Sequence, residues 1–219
     1  VELNPEAHLI EQIIIRGNLN EFPIMQMPSA VGYIKNPNRQ SLNKISYIES
    51  LNRIPGVYAH TGTLNTNRIT IRGIGSRSPY NINRIKAYYN GIPLTTGDGN
   101  TEIEDISSSF IGSIEVLKGS KSALYGSGLG GVIMLNRPEY KKGLHGHAGI
   151  NHGSYHSMEY EAGVKYKSKG FYIGSTYADA RTDGWRENSL YRRQNFELNT
   201  GFMNDKSRLD FTLLAISTR

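Results

Sequence analysis

The chain has 219 residues, enough for one large domain or two small ones, and only 37% of them are apolar, low for a conventional soluble core. It has no cysteine, which excludes a disulfide framework and a thiolate metal site. The formal charge of +6 comes from Lys and Arg spread singly and interleaved with Asp and Glu, so no basic stripe forms and nucleic acid is not an expected partner. No run of about 18 apolar residues occurs, which excludes a transmembrane helix and leaves strands as the route into a membrane. The chain opens at Val1 without the basic stretch and apolar core of an export signal, so any such signal is expected to have been removed or never present.

In the first forty residues one short apolar run stands out, Ile13-Ile14-Ile15, preceded by Glu11 and Gln12 and followed by Arg16 and Gly17. Pro23, Pro28 and Pro37 keep the chain extended beyond it, so the segment reads as an arm carrying one strand. Leu42, Ile45, Ile48 and Leu51 then recur at near-helical spacing after Ser41, a suitable N-cap, until Pro55-Gly56 stops the pattern. One amphipathic helix is predicted there. Strands are predicted over 57–59, 68–72, 85–89, 114–118 and 132–135, with Asn90-Gly91 as a tight turn whose two central positions want positive φ. Residues 40 to 138 therefore read as a small mixed α+β domain.

After Pro138 the texture changes to a period of two. Leu144, Gly146, Ala148 and Ile150 alternate with His145, His147, Gly149 and Asn151. Met158, Tyr160, Ala162, Val164 and Tyr166 alternate with Ser157, Glu159, Glu161, Gly163, Lys165 and Lys167. Phe196, Leu198, Thr200 and Phe202 repeat the pattern, as do Leu209, Phe211 and Leu213, whereas 171–181 is less regular and its faces stay unassigned. About five strands of about ten residues, apolar and aromatic on one side, match the signature of a transmembrane barrel. The connections at 168–170 and 204–206 are tight and 182–191 is long and polar, the asymmetry expected between periplasmic turns and outer loops; the brief link at 152–156 is an exception.

Several motifs have a plainer reading. Gly126, Gly128 and Gly131 fit G-x-G-x-x-G, but a strand-like run follows where a dinucleotide site needs a helix, so the glycines are read as permitting tight turns beside close neighbours. His145, His147, His152 and His156 lack an accompanying carboxylate or cysteine at ligand spacing and are read as polar strand and loop residues. No nucleophile elbow or H-E-x-x-H helix occurs, so no enzyme activity and no cofactor are expected. Glu102, Glu104 and Asp105 are read as the solvated face of a short helix-like stretch.

Ile54-Pro55-Gly56-Val57, Ile69-Thr70-Ile71-Arg72-Gly73, Tyr89-Asn90-Gly91-Ile92-Pro93-Leu94, Ile114-Glu115-Val116-Leu117-Lys118-Gly119 and Ala123-Leu124-Tyr125-Gly126, the last with Gly130-Gly131-Val132-Ile133, stand in this order. Together they resemble the ordered motifs of the plugs of TonB-dependent outer-membrane receptors, over residues 10 to 140. Lys118 stands where many members of that family carry Arg, which keeps the charge and loses the bidentate fork.

The resemblance implies an α+β plug domain followed by antiparallel strands of a transmembrane β-barrel of about 22 strands, of which about five are here. The implied layout is a periplasmic segment over 1–20, the plug over 21–140 and the start of the barrel over 141–219, the chain being a piece of a longer polypeptide. The implied place is the outer membrane of a Gram-negative-type bacterium, in contact with its lipid, with the N-terminus in the periplasm.

The function implied is TonB-dependent uptake of a scarce nutrient, foremost an iron(III) complex such as a siderophore, with cobalamin, haem or oligosaccharide as alternatives. Glu11, Gln12, Ile13, Ile14 and Ile15 sit where the family carries its TonB box, which would pair edgewise with a strand of the TonB energy-coupling protein. The outward plug loops would be 74–83 and 95–101, where Arg77, Tyr80, Asn81, Asp98 and Asn100 offer a cation, an aromatic face, an amide and acceptors for a small-molecule substrate, expected to be a metal chelate. The competing reading is a non-transporting periplasmic or surface binding module, whose strands after residue 143 would need both faces covered.

Overall fold

The computed structural model describes residues 13–15, 22–27, 29–37, 45–64, 66–75, 82–120, 122–204 and 207–219. Its strands are β1 (Ile14–Ile15), β2 (Phe22–Pro23), β3 (Val31–Lys35), β4 (Val57–Thr63), β5 (Thr66–Ile71), β6 (Ile74–Gly75), β7 (Ile85–Tyr89), β8 (Ile92–Pro93), β9 (Ser113–Lys118) and β10 (Gly131–Asn136), followed by β11 (Gly143–Gly153), β12 (Ser157–Lys167), β13 (Phe171–Thr182), β14 (Tyr191–Met203) and β15 (Arg208–Thr218).

The N-terminal unit is built on a five-stranded sheet, β3-β9-β10-β7-β8, in which only β10 and β7 run parallel, and a three-stranded sheet, β4-β5-β6. Its central strands β9 and β10 are covered on both faces, which is why both read as near-continuous apolar runs. Ile48, Leu51, Ile69, Ile71, Ile85, Phe110 and Ile133 fill the main core on one side. Ile15, Leu117, Val132 and Met134 form a smaller cluster on the other. The β7–β8 hairpin closes through Asn90 and Gly91 with φ of 47° and 87°, the two positive values the sequence demanded. At Gly131, φ is 145° and a Cβ would stand 2.4 Å from the Leu117 carbonyl oxygen, so that glycine is there for close strand approach.

Two expectations are corrected. The helix predicted after Ser41 is, in its described part, a 3-10 helix over Ile48–Arg53; Ser41 and Leu42 lie outside the described residues. Ser50 Oγ donates to the Tyr47 carbonyl at 2.5 Å and Ser46 Oγ accepts from Ile48 N at 3.4 Å, local bonds that compete with an α-helical ladder. Residues 102–107 hold a single turn at Glu104 and Asp105, not a helix-like stretch, and Glu104 is buried.

Strands β11 to β15 form one antiparallel meander in chain order. Its burial is the inverse of a soluble sheet. The polar row of β14, with Arg193, Asn195, Glu197 and Asn199, is buried against the N-terminal unit, whereas Leu144 and Ile150 of β11 and Leu209 of β15 are each at least 70% exposed. The same register resolves 171–181: Thr176, Ala178, Ala180 and Thr182 face inward, and Phe171, Ile173 and Tyr177 face outward with Phe196 and Phe202. Small alanines at inward positions, where the core unit presses close, are what blurred the alternation.

Candidate functional site

The two ends of the meander differ. Residues 183–190 and the 154–156 turn share one end, tied by Asp183 N donating to the Tyr155 carbonyl at 3.0 Å. The β12–β13 and β14–β15 connections share the other. The N-terminal unit enters β11 from the tight-turn end, where Arg137 N donates to Asn90 Oδ1 at 2.9 Å and Tyr140 OH to Asn199 Oδ1 at 3.2 Å.

Toward the long-loop end, the segment 95–101 folds as a compact hairpin. Asp98 accepts from Thr96 Oγ1 at 2.5 Å, from Asn100 N at 3.2 Å and from Asn100 Nδ2 at 2.7 Å, and the Thr96 hydroxyl bond leads the causes that lower its carboxyl below the ordinary value. Asp98 and Asn100 are thus brought together, with each other as first partners. Thr101 N donates to the Ile82 carbonyl at 2.9 Å, so the end of the 74–83 segment abuts this hairpin. Arg77, Tyr80 and Asn81 lie outside the described residues.

Below the hairpin the unit is bolted to the sheet by buried polar groups that the sequence reading missed. Arg193 donates to the carbonyls of Glu104 at 2.7 Å and Ile45 at 2.9 Å. Asn195 Nδ2 donates to the Asp105 carbonyl at 2.8 Å, and Thr218 Oγ1 to Asp105 Oδ1 at 3.2 Å. Lower still, Glu197 accepts from Tyr89 OH at 2.8 Å and pairs with Arg137 at 3.3 Å. Burial pushes the Glu104 carboxyl up to about 7, and burial raises Asp105 as well. Glu104 is therefore a desolvated acid, and the solvated face read for these residues is overturned. The available signal was Arg193 and Glu197 on the polar side of a half-apolar strand, where a charge must meet the enclosed unit or water.

On the face of the plug sheet that carries Leu117, Val132 and Met134, β1 pairs antiparallel with β2, Ile14 opposite Pro23 and Ile15 opposite Phe22. Ile15 is fully buried on Leu117, Val132 and Met134, while Ile13 and Ile14 are exposed. Glu11 and Gln12 lie outside the described residues. Among the described residues no group of three or more His, Cys, Asp or Glu is placed to share a metal ion. His145 Nε2 instead sits 3.0 Å from the Lys142 carbonyl and His156 Nδ1 2.7 Å from Asp183.

A family profile described as the TonB-dependent receptor plug domain matches residues 23–132, half of the chain. The chain belongs to that family. The match takes in most of the N-terminal unit, and β11–β15 are the first barrel strands. The hemin receptor of Yersinia enterocolitica is 25% identical over 134 residues, covering 60% of this chain and 19% of that protein. Among solved structures, the pyoverdine outer membrane receptor FpvA from Pseudomonas aeruginosa PAO1 matches with a TM-score of 0.72 at 17% identity, over 88% of this chain and 28% of that one. The ferric citrate transporter FecA, in its unliganded form, matches at 0.69 and 21%, over 89% and 32%. The chain thus spans about a fifth of the curated relative and under a third of these structures.

Proposed function

We propose that this chain is the plug and the first barrel strands of a TonB-coupled importer that carries an iron(III) complex across the outer membrane. The observation that carries the reading is the inverted meander, with its polar face closed on the plug and its apolar face bare. A soluble binding module would have to cover that face. Strands of 11 to 13 residues, at about 3.3 Å per residue and a tilt of about 45°, would cross about 25–30 Å, the thickness of a hydrocarbon layer. Iron is favoured because the relatives are named for haem, a pyoverdine and ferric citrate.

In this reading 1–20 is the periplasmic segment, 21–140 the plug and 141–219 the start of the barrel. Glu11 to Ile15 would add a strand to TonB through backbone bonds, and a pull there would reach β9 and β10 through Ile15. Arg77, Tyr80, Asn81, Asp98 and Asn100 would meet the substrate, Arg77 as the partner of an anionic chelate. The test is growth of a deletion strain on a panel of iron sources with the full-length gene restored. Restored growth on a siderophore, ferric citrate or haem is expected. Restoration only on cobalamin or an oligosaccharide would replace the substrate class, and none on any source would remove the importer reading.

A further inference from the structure

On the plug-facing side of β11 and β12, at the end where β12 joins β13, lies a cavity of about 230 Å³ lined by Glu139, Lys141, His145, Gly146, His147 and Lys165. His145 stands opposite Lys165 and His147 opposite Gly163, on the face that also carries Glu159, which is 1% exposed and meets Ser108 of the plug. Glycines shape the wall. A Cβ at Gly163 would come within 2.4 Å of His147 Cε1, and one at Gly174 within 2.5 Å of the Tyr140 hydroxyl, so each ring rests against bare backbone. His145 Nε2 is 3.0 Å from the Lys142 carbonyl oxygen, which can only accept. The imidazole therefore donates, and ties the segment between plug and barrel to β11 beside Lys141.

The cavity carries more positive charge than the protein neutralises. Among the described residues the Lys141 and His147 side chains form no hydrogen bond or ion pair, and the Lys165 ammonium has only the Tyr140 ring, 5.9 Å away. Glu139 is the one acid in the lining. The neighbouring carboxylates are engaged or placed elsewhere. Glu197 pairs with Arg137 at 3.3 Å and accepts from Tyr89 at 2.8 Å, and Glu161 lies against Gly149, farther toward the long-loop end. Two ammonium groups facing one partly enclosed space repel each other, so an anion between them is favoured.

We propose that this cavity binds a small polycarboxylate anion, at the periplasmic end of the seam between plug and barrel wall. Its free donors, two ammonium groups and the His147 N–H, stand on three segments, and the rows of Lys165 and His147 are about 7 Å apart along the strands. Donors spread in this way match carboxylates on different arms of one molecule. A phosphate would be matched by a guanidinium fork or a helix N-terminus, and neither lines the cavity. The volume is below the about 300–1,000 Å³ of pockets for drug-sized ligands, so a tricarboxylate fits and a whole siderophore does not. The cavity lies at the opposite end of the meander from the 95–101 hairpin, where a ligand has passed the plug rather than reached it. That role in import rests on the importer reading above; the binding does not.

The test is calorimetric titration of the full-length receptor, in mild detergent, with citrate, acetate and inorganic phosphate. Citrate is expected to bind about tenfold or more tighter than the other two, and K141Q/K165Q to lose about tenfold or more of that affinity. A wild-type receptor that does not bind citrate, or that binds acetate or phosphate as tightly, overturns the proposal without relying on any variant folding. Citrate affinity lost in R77A and kept in K141Q/K165Q would put the bound acid at the outer loops and overturn it as well. Growth on the iron-source panel keeps the two readings apart. A receptor that restores growth and fails these titrations loses this site alone, whereas one that binds citrate through Lys141 and Lys165 and restores no growth keeps the site and loses its place in import.

Discussion

At the residue scale, Arg193 and Glu104 carry the most physical consequence. Arg193 is a buried cation whose neutralisation is spread over two carbonyl dipoles from separate plug segments, so truncating it strands both acceptors in a water-poor seam. Arg193→Ala in the full-length receptor is expected to destabilise the plug by on the order of 3 kcal/mol, seen in calorimetry as an earlier plug transition. Coincident transitions would mean the contact carries no energy. Glu104 has the opposite character. Its folded carboxyl titrates near 7 against an ordinary 4.5 because burial penalises the anion. The native plug therefore binds more protons than the unfolded chain between those values, and its stability falls as pH rises from about 4.5 to about 7, by about 3 kcal/mol at most. Below 4.5 the penalty is absent; above 7 it is complete. Asp105, also raised, slopes the same way, so the diagnostic quantity is the difference between wild type and Glu104→Gln. The variant should be more stable at pH 8, by a margin that closes toward pH 4. A parallel pair of stability curves would show that Glu104 does not titrate in this window.

At the scale of elements, β1 joins the N-terminal segment to the plug sheet. Proline at position 14 removes a backbone donor and fixes φ at an exposed strand position, leaving the Ile15 anchor in its cluster. Under the proposed importer reading, Ile14→Pro is expected to abolish energised uptake while surface binding of the substrate persists at wild-type affinity. Uptake at the wild-type rate would place the TonB contact elsewhere. How much of this was legible follows from period and covering. β9 and β10 were readable because a strand buried on both faces becomes an apolar run, β7 because a fully buried face alternates with a half-buried one, and β12 and β14 because one face meets the plug. The Asn90–Gly91 turn announced itself by chemistry. The helix after Ser41 was misread because hydroxyls at Ser46 and Ser50 satisfy the backbone locally, a bond that spacing does not encode. Arg193, Tyr89 and Glu197 were missed as a set because their partners lie about 60 to 150 residues away in sequence, and no local pattern joins them.

At the scale of the molecule, the outward face decides whether lipid or water surrounds these strands, and depth gives a sharper test than exposure alone. On the outward face Leu198 stands between Ser175 and Leu213 at mid-strand, whereas Gln194 lies four residues nearer the long-loop end, between Asp179 and Ser217. In a bilayer an arginine at mid-depth costs about 2–4 kcal/mol and one at the interface about 0–1 kcal/mol. In water both positions would accept it almost freely, since exposed surface substitutions stay within about 0.5 kcal/mol. Leu198→Arg in the full-length receptor is therefore expected to impair folding into lipid vesicles by about 2–4 kcal/mol in a urea titration, with Gln194→Arg close to wild type. Equal, small effects at both positions would mean that the outward face does not meet hydrocarbon. The outer-membrane placement proposed above would then fall.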